Sequence, residues 1–464
     1  RRPRCGWNEG RNAVKDIIRP LHADEKLPTG SPVNVSRRGF LLGSAGALVL
    51  GFGLPVKPAR AQEAAQMAPG TRVPAFLEIR PDNTVRLMSP FVEGGQGIFT
   101  AMAQIVGEEL DMDPAAFVVE NAPAGPDYLV MNGKMRITGG SSSVRSSYDT
   151  MRKLGASARA MLMQAAATRL DVGVDELTTE PGFVVHEAGD QRITYGDLAS
   201  DALDLPVPDG DTLTLRDPSD FRWIRKPVAR LDVFDKSVGK AVYAIDAKVD
   251  GMLHAAVQHA PRLGMSVGSI RNEDEVAAMP GVHSVHVLPG AVAVVAERWW
   301  NARRAAEALM VDWAEAGDTP VMPGIRNMPA DFSTAGFLDR LSSETGEGKE
   351  AEAEGDARRT LEDASDVLSS TYHTQYLHHA QLEPPSALAR FNDDGTLELW
   401  MPNQAPEQFQ GQIAKMTGLD ANQIKIHSMI LGGFFGRHFL YPSANPYPQA
   451  IQLVKETGRP IKLI

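Results

Sequence analysis

The sequence predicts a multidomain α+β fold, and three observations carry that prediction. At 464 residues the chain is too long for one ordinary core, so two to four domains of about 150 residues each are expected. Two stretches, "TVRLMSPFVEGGQGIFTAMAQIVGEEL" and "RITGGSSSVRSSYDTMRKLGASARAML", each place a glycine-rich loop directly before a helix pattern. A third stretch, residues 239–313, alternates short strand and short helix patterns. Hydrophobic residues at 43% and charged residues at 23% are ordinary for a globular protein, which excludes a disordered chain and a membrane bundle.

The elements follow in chain order. Residues 1–35 read as an extended leader, and 36–61 as a signal peptide: "SRRGFLL" supplies a basic start, 39–54 an apolar run, and Ala59, Arg60 and Ala61 a cleavage site. The apolar run has sixteen residues, short of the roughly 20 that cross a bilayer. The paired Arg37 and Arg38 resemble the twin-arginine signal, which implies export to the periplasm of an already folded protein. Residues 1–61 carry a net charge of +7, and the remainder carries −18. So acidic a body lacks the clustered basic groups that phosphate backbones require, which excludes nucleic acid as a partner. The only cysteine, Cys5, precedes the expected cut. The mature chain therefore forms no disulfide and ligates no iron–sulfur cluster, which would have to reside in a partner.

Residues 74–225 form the first folded region. "AFLEIRPDNTVRLMS" alternates around an Asp82-Asn83 turn and reads as a β-hairpin. Behind it come Gly94, Gly95 and Gly97, then a helix with Ile98, Met102, Ile105 and Leu110 on one face. A glycine in such a place serves a sharp turn or the approach of something bulky, and the helix start behind it offers free N–H groups to an anion. Glu108 and Glu109 of this helix read as a solvated edge. In the second loop, Ser141, Ser142 and Ser143 precede a long helix with Met151, Leu154, Ala158, Met161, Leu162 and Ala165 in a stripe. Those serines have two readings, as caps of their own helix or as part of a phosphate cradle.

A turn-rich stretch over 206–227 marks a boundary, and 226–314 reads as a small α/β unit. Its Trp299 and Trp300 begin a packed helix. Residues 315–366 lose apolar periodicity while charge rises, as in "ETGEGKEAEAEGDARR", which reads as an acidic solvated linker. Structure resumes over 367–464. There His378 and His379, taken as adjacent on a strand, point to opposite faces and cannot easily share a metal. "GRPIKLI" opens a final strand with no neighbour or cap in sight, as if the sequence stopped part-way through a domain.

Three stretches together resemble a known family: "VEGGQGIFTAMAQIVGEELDM", "AIDAKVDGMLHAAVQHAPRLG" with "VAAMPGVHSV", and "LHHAQLEPPSALARF" with "MILGGFFGRHF". They are similar to the molybdopterin-binding large subunit of the xanthine dehydrogenase and aldehyde oxidase family, of the isoquinoline 1-oxidoreductase β-subunit type. The resemblance implies a mixed α/β molybdenum hydroxylase fold in which 226–314 is the hammerhead domain and 367–464 the start of the main molybdopterin-binding domain. It implies an oxidoreductase that hydroxylates an aldehyde or N-heteroaromatic carbon with oxygen from water. The implied cofactor is Mo-molybdopterin cytosine dinucleotide. The implied partners are a small subunit with [2Fe-2S] clusters, a cytochrome c subunit and a small-molecule substrate, with membrane association through those partners.

Carried over residue by residue, the resemblance places Gln96, between Gly95 and Gly97, at the metal's oxo group. Gly433, Phe435 and Gly436 match the loop that passes the molybdenum, and Arg437 follows as a phosphate or pterin contact. Ser141, Ser142 and Ser143 would meet the dinucleotide pyrophosphate, while His379 and Glu383 stand on the substrate side. The family's catalytic glutamate is expected beyond Ile464, so no catalytic base is assigned within this sequence. One departure stands out: the family loop reads GGGFG, and here Phe434 replaces its third glycine. A β-carbon and ring there displace the cofactor, force an adjusted turn or point away. With that departure, the competing expectation is an exported, non-catalytic binding or assembly protein that keeps the scaffold without the metal.

Overall fold

The structure, a computed structural model, describes residues 32–34, 48–52 and 76–464, apart from 126–127, 132–134, 210, 316, 318–326, 345, 347 and 440–444. A five-stranded sheet opens the fold, in the order β1 (Pro32–Asn34), β2 (Leu48–Phe52), β3 (Leu77–Ile79), β4 (Val85–Ser89) and β5 (Phe117–Asn121). β3 and β4 make the hairpin that the sequence predicts: the Thr84 N–H donates to Asp82 Oδ1 at 3.0 Å, and Asn83 takes a left-handed φ of 65°. Arg37, Arg38, Cys5 and the expected cut after Ala61 lie outside the described residues. The end of the apolar run read as a signal core does appear, as β2. It pairs antiparallel with β3, and Leu48 and Leu50 are buried in the common core.

Two helices cover the sheet, α1 (Ile98–Leu110) and α2 (Ser143–Leu170). The apolar faces expected for both are buried, from Ile98 to Leu110 in the first and Met151 to Ala165 in the second. Each Leu or Met so covered contributes roughly 1.5–3 kcal/mol. Gly155 allows the two helices to touch, because a Cβ there would stand 2.3 Å from the Val106 carbonyl oxygen. A small antiparallel sheet of β6 (Thr178–Glu180), β7 (Phe183–His186) and β8 (Gln191–Thr194), absent from the sequence reading, follows with α3 (Tyr195–Ala199).

Glu108 and Glu109 correct the reading of a solvated edge, for both are fully buried. Glu108 accepts from the N–H groups of Arg222, Trp223 and Ile224 at 2.9, 2.8 and 3.0 Å. Glu109 pairs with Arg152 at 2.6 Å and accepts from the Arg216 N–H at 3.0 Å. The turn-rich stretch they bind lacks the ladder that would satisfy its backbone donors, and these carboxylates take that role.

Further along lie α4 (Val233–Ser237), β9 (Leu253–His259), β10 (Ser266–Ile270), α5 (Glu273–Ala277), β11 (Val282–Leu288), β12 (Ala291–Ala296), α6 (Trp299–Ala308) and β13 (Val311–Ala314). Trp299 begins α6 as expected, while Trp300 faces solvent. The described part of 315–366 is largely exposed and carries two short helices, α7 (Thr334–Ser343) and α8 (Ala357–Asp363). The chain stays irregular until β14 (Ala387–Phe391), so His378 and His379 do not occupy a strand. The remaining elements are β15 (Leu397–Met401), α9 (Pro406–Thr417), β16 (Ile424–Ser428), α10 (Tyr447–Thr457) and β17 (Ile461–Leu463).

The final strand also departs from the sequence reading. β17 has neighbours on both sides, parallel to β9 and antiparallel to β14. It is the centre of a seven-stranded mixed sheet in the order β11-β12-β9-β17-β14-β15-β16. One sheet therefore runs through both the 226–314 unit and the last region. Among the described residues, no helix is long and apolar enough to cross a membrane.

Candidate cofactor site

Three backbone segments meet at one cleft of about 390 Å³, within the range of about 300–1,000 Å³ typical of small-molecule sites. The first glycine loop and the start of α1 contribute Gln96 and Gly97, and the second loop and the start of α2 contribute Thr138, Ser141 and Ser143. Phe434 and Gly436 close it from the third loop, with Gln404 beneath. Hydrogen bonds lock these segments together. The Leu431 N–H donates to the Glu93 carbonyl at 2.8 Å, and the Val92 N–H to Thr138 Oγ1 at 2.8 Å. Gln404 joins the other two, donating from Nε2 to the Thr138 carbonyl at 2.6 Å and accepting at Oε1 from the His438 N–H at 2.9 Å.

The glycines of the first loop answer to different needs. Gly95 and Gly97 have left-handed φ values of 106° and 87°, which a side chain would strain. Gly94 makes room instead, since a Cβ there would stand 2.2 Å from Phe434 Cδ1. Phe434 therefore does not point away; its ring lies over Gly94 and walls the cleft. The strain in this third loop falls on Phe435, a non-glycine residue at φ 45° whose side chain is 54% exposed.

The two helix starts differ in charge. At α1 the N–H groups are already engaged by the chain's own carboxylate: Glu93 accepts from Gly95 and Gly97 at 2.7 and 3.3 Å and from Phe99 at 3.3 Å. At α2 no side chain caps the helix, and its first turn holds no acid. Ser142, at the cap position, turns its hydroxyl back to the Gly139 carbonyl at 2.7 Å. An anion would thus be received at the second loop.

Of the residues singled out from the sequence, Gln96, Gly97, Ser141, Ser143 and Gly436 line the cleft. Gln96 also braces its own turn, accepting at Oε1 from the Gly94 N–H at 2.7 Å and donating from Nε2 to the Val92 carbonyl at 2.8 Å. Gly95 is solvent-facing and Ser142 is buried behind the wall. Gly433 holds the third loop at φ 69°, and the Arg437 N–H donates to the Phe434 carbonyl at 3.0 Å. His379 Nδ1 donates to the Phe435 carbonyl at 2.7 Å. Glu383 is buried and works on backbone, accepting from Gly432 and Ile245 at 2.8 and 2.9 Å. Burial pushes its carboxyl above the usual range, against the pull of those N–H donors. His379 and Glu383 thus brace the third loop in this structure. Glu93, Thr138 and Gln404 escaped the sequence reading, as did His438, a buried imidazole that desolvation lowers to about 4 and so keeps neutral.

Both spans that build the cleft match known domains. Residues 45–224 and residues 343–464 each match a molybdopterin cofactor-binding domain. Across 93% of its length the chain is 29% identical to the β subunit of isoquinoline 1-oxidoreductase from Brevundimonas diminuta. The chain belongs to the molybdenum hydroxylase large-subunit family. It is also 29% identical, over 93% of its length, to a membrane-bound aldehyde dehydrogenase [pyrroloquinoline-quinone] of Gluconacetobacter polyoxogenes. A third relative, a nicotinate dehydrogenase subunit of Pseudomonas putida, is 29% identical over 84% of the chain. The chain spans 59%, 55% and 31% of the length of those three relatives. Among solved structures, the aldehyde oxidoreductase from Desulfovibrio gigas aligns over 94% of this chain and 45% of its own, at 16% identity and a TM-score of 0.39.

The residues present fit a molybdopterin. Among the described residues the lining carries no carboxylate to repel phosphate, and the uncapped α2 start faces the cleft through Ser143 and Val144. Nothing among the described residues stands within 4 Å of where a Cβ would sit at Gly436, so a flat group can lie against the backbone there.

Proposed function

We propose that this chain forms the cofactor-binding part of an exported molybdenum hydroxylase that oxidises an aldehyde or hydroxylates a carbon of an N-heteroaromatic ring. The observation that carries the reading is the convergence of residues 94–97, 138–144 and 432–436 on one cleft built entirely from the two matched domains. The substrate classes come from the relatives' names, which specify isoquinoline, nicotinate and aldehyde.

When bound, the molybdenum cofactor supplies the redox couple and transfers oxygen derived from water. The chain's own residues hold and orient it. Gln96 lines the cleft with its amide tied to its own turn, and the third loop offers backbone at Gly436, braced by Glu383 and His379. Ser141, Ser143 and the α2 start take a pyrophosphate, which favours the cytosine dinucleotide form of the cofactor. Phe434 and Ile98 supply apolar wall that excludes water from part of the cleft.

Two of the relatives are named as subunits of larger enzymes, and the single cysteine of this chain cannot hold an iron–sulfur cluster. In this reading electrons would leave to a small subunit holding [2Fe-2S] clusters, with a cytochrome c subunit beyond it. The "SRRGFLL" start and the small residues at 59–61 support periplasmic export by the twin-arginine route. Residues 226–314 serve as the hammerhead domain.

The test is purification of the full-length gene product with its small subunit. Inductively coupled plasma analysis is expected to give one molybdenum per chain, acid treatment to release a cytosine nucleotide, and an artificial acceptor to be reduced by aldehydes or azaarenes. Absence of molybdenum from the complete complex overturns the reading in favour of a non-catalytic scaffold.

A further inference from the structure

Beside the first glycine loop, outside the lining of the cleft, four charged side chains form a closed cluster. Glu93 is fully buried between two cations, Arg230 at 3.1 Å and Lys236 at 3.3 Å. Both cations also bind Asp232, Arg230 at 2.6 Å and Lys236 from four residues further along the chain. Two acids and two bases thus neutralise one another, as a buried carboxylate requires. Burial raises the Asp232 carboxyl, but the two cations overcome it and hold it at about 2.

The cluster also grips the main chain of the loop. Glu93 takes the N–H groups of Gly95, Gly97 and Phe99, and Arg230 Nη1 donates to the Gly95 carbonyl at 2.8 Å. Beside it, the Leu231 N–H donates to Thr100 Oγ1 at 3.1 Å. The loop is therefore held at both donors and acceptors, around two glycines whose left-handed backbone has many alternatives once released. Gln96, the residue between those glycines, lines the cleft in the loop shape that this grip holds.

We infer that Glu93 is a positioning residue: clamped by Arg230 and Lys236, its carboxylate fixes the backbone of residues 95–97 and so sets how Gln96 meets the cofactor. The clamp draws its cations from the segment that enters the 226–314 unit, with Lys236 on α4. Seating that segment is thus coupled to the shape of the cofactor loop, although none of its residues lines the cleft. The inference rests on the cleft being the cofactor site, and its test keeps the two separable.

Glu93→Gln retains the size of the side chain but removes the charge, leaves two cations short of a partner and turns an amide NH₂ toward N–H donors. Glu109→Gln is the control, an equally buried carboxylate that binds Arg152 and Arg216 away from the cleft. Both variants are made in the full-length chain with its small subunit. Three readouts are taken: amide hydrogen exchange over 95–99, bound molybdenum, and the electron paramagnetic resonance signal of half-reduced metal.

Glu93→Gln is expected to speed exchange at residues 95, 97 and 99 by about tenfold or more and to shift or broaden the metal signal. Glu109→Gln should lose stability while leaving both unchanged, and Glu93→Asp should restore part of each. Wild-type exchange at 95–99 in Glu93→Gln overturns the clamp, as does an equal spectral change in Glu109→Gln. If the wild-type complex carries no molybdenum, the cofactor assignment fails, while the exchange result still decides whether Glu93 holds the loop.

Discussion

Gly94→Ala tests the convergence of the first and third loops at its tightest point. The new Cβ would lie 2.2 Å from Phe434 Cδ1 and 2.6 Å from Cε1. Carbon atoms prefer about 3.5–4.0 Å, so the ring must retreat by roughly 1.5 Å. Gly94 is not among the glycines with left-handed φ, so alanine there carries no backbone strain and the clash with Phe434 is the whole perturbation. Overpacking of this kind costs about 1–3 kcal/mol, while alanine returns about 0.4–1 kcal/mol by restricting the unfolded chain. A net loss of about 1–2 kcal/mol is expected in urea unfolding followed by fluorescence and circular dichroism. Adding Phe434→Ala should recover most of it, giving a coupling of about 1–2 kcal/mol in the double-mutant cycle. Bound molybdenum should fall in the single variant, because the displaced ring either narrows the cleft or uncovers it. Wild-type stability for Gly94→Ala, or failure of Phe434→Ala to rescue it, would refute the packing of these two loops.

Gly95→Ala acts through backbone alone, since no atom lies within 4 Å of its Cβ position and its φ is 106°; it should destabilise by about 1 kcal/mol or more, and Phe434→Ala should not relieve it. Arg136 is buried and pairs with Glu407 at 2.7 Å, so Arg136→Met should cost about 3–5 kcal/mol by stranding that carboxylate, with partial recovery in Arg136→Met/Glu407→Leu, read by urea midpoints. Glu398 is pushed up by burial but held down, to about 2, by hydrogen bonds from Lys425 and Arg390, against an ordinary value of 4.5. Because its folded pKa is depressed, its contribution is fully present above pH 4.5 and disappears as pH falls towards 2. The stability gap between wild type and Glu398→Gln should therefore close over that acid window, and a gap independent of pH would contradict the ion-pair account.

The helix faces and the first hairpin were legible because each depends on neighbours a few residues away. Met102 and Leu154 lie in periodic stripes, and Asp82-Asn83 announces its own turn. The place of β17 was not legible, since its partners at Leu253 and Ala389 are fixed by the whole sheet rather than by the strand. Glu108 and Glu109 misled for a related reason: a carboxylate on a helix looks the same in sequence whether water or a returning chain covers it. Only the arrival of residues 216–224 buries them. Gln404 carried no signal beyond a polar residue before Pro406, yet it ties Thr138 to His438 across the cleft. Phe434 looked like damage to a glycine loop, and its fit became intelligible only with Gly94 beneath it.

The first loop looked like an anion cradle because it joins glycines to a helix start, but the same chemistry can be satisfied from within. Glu93 lies four residues before Gly97 and folds its carboxylate onto the α1 donors, so that site is filled and charge-balanced by Arg230 and Lys236. A second anion there would find the N–H groups of Gly95, Gly97 and Phe99 already taken by Glu93, whereas at α2 it would meet uncapped N–H groups and two serines. The asymmetry orients any bound molecule carrying phosphate at one end. Its anionic end would sit beside Ser141 and Ser143, leaving its other end between Gln96 and the Phe434 loop. Two loops that look alike in sequence thus divide the cleft, and the division follows from which helix start the protein has already supplied with a carboxylate of its own.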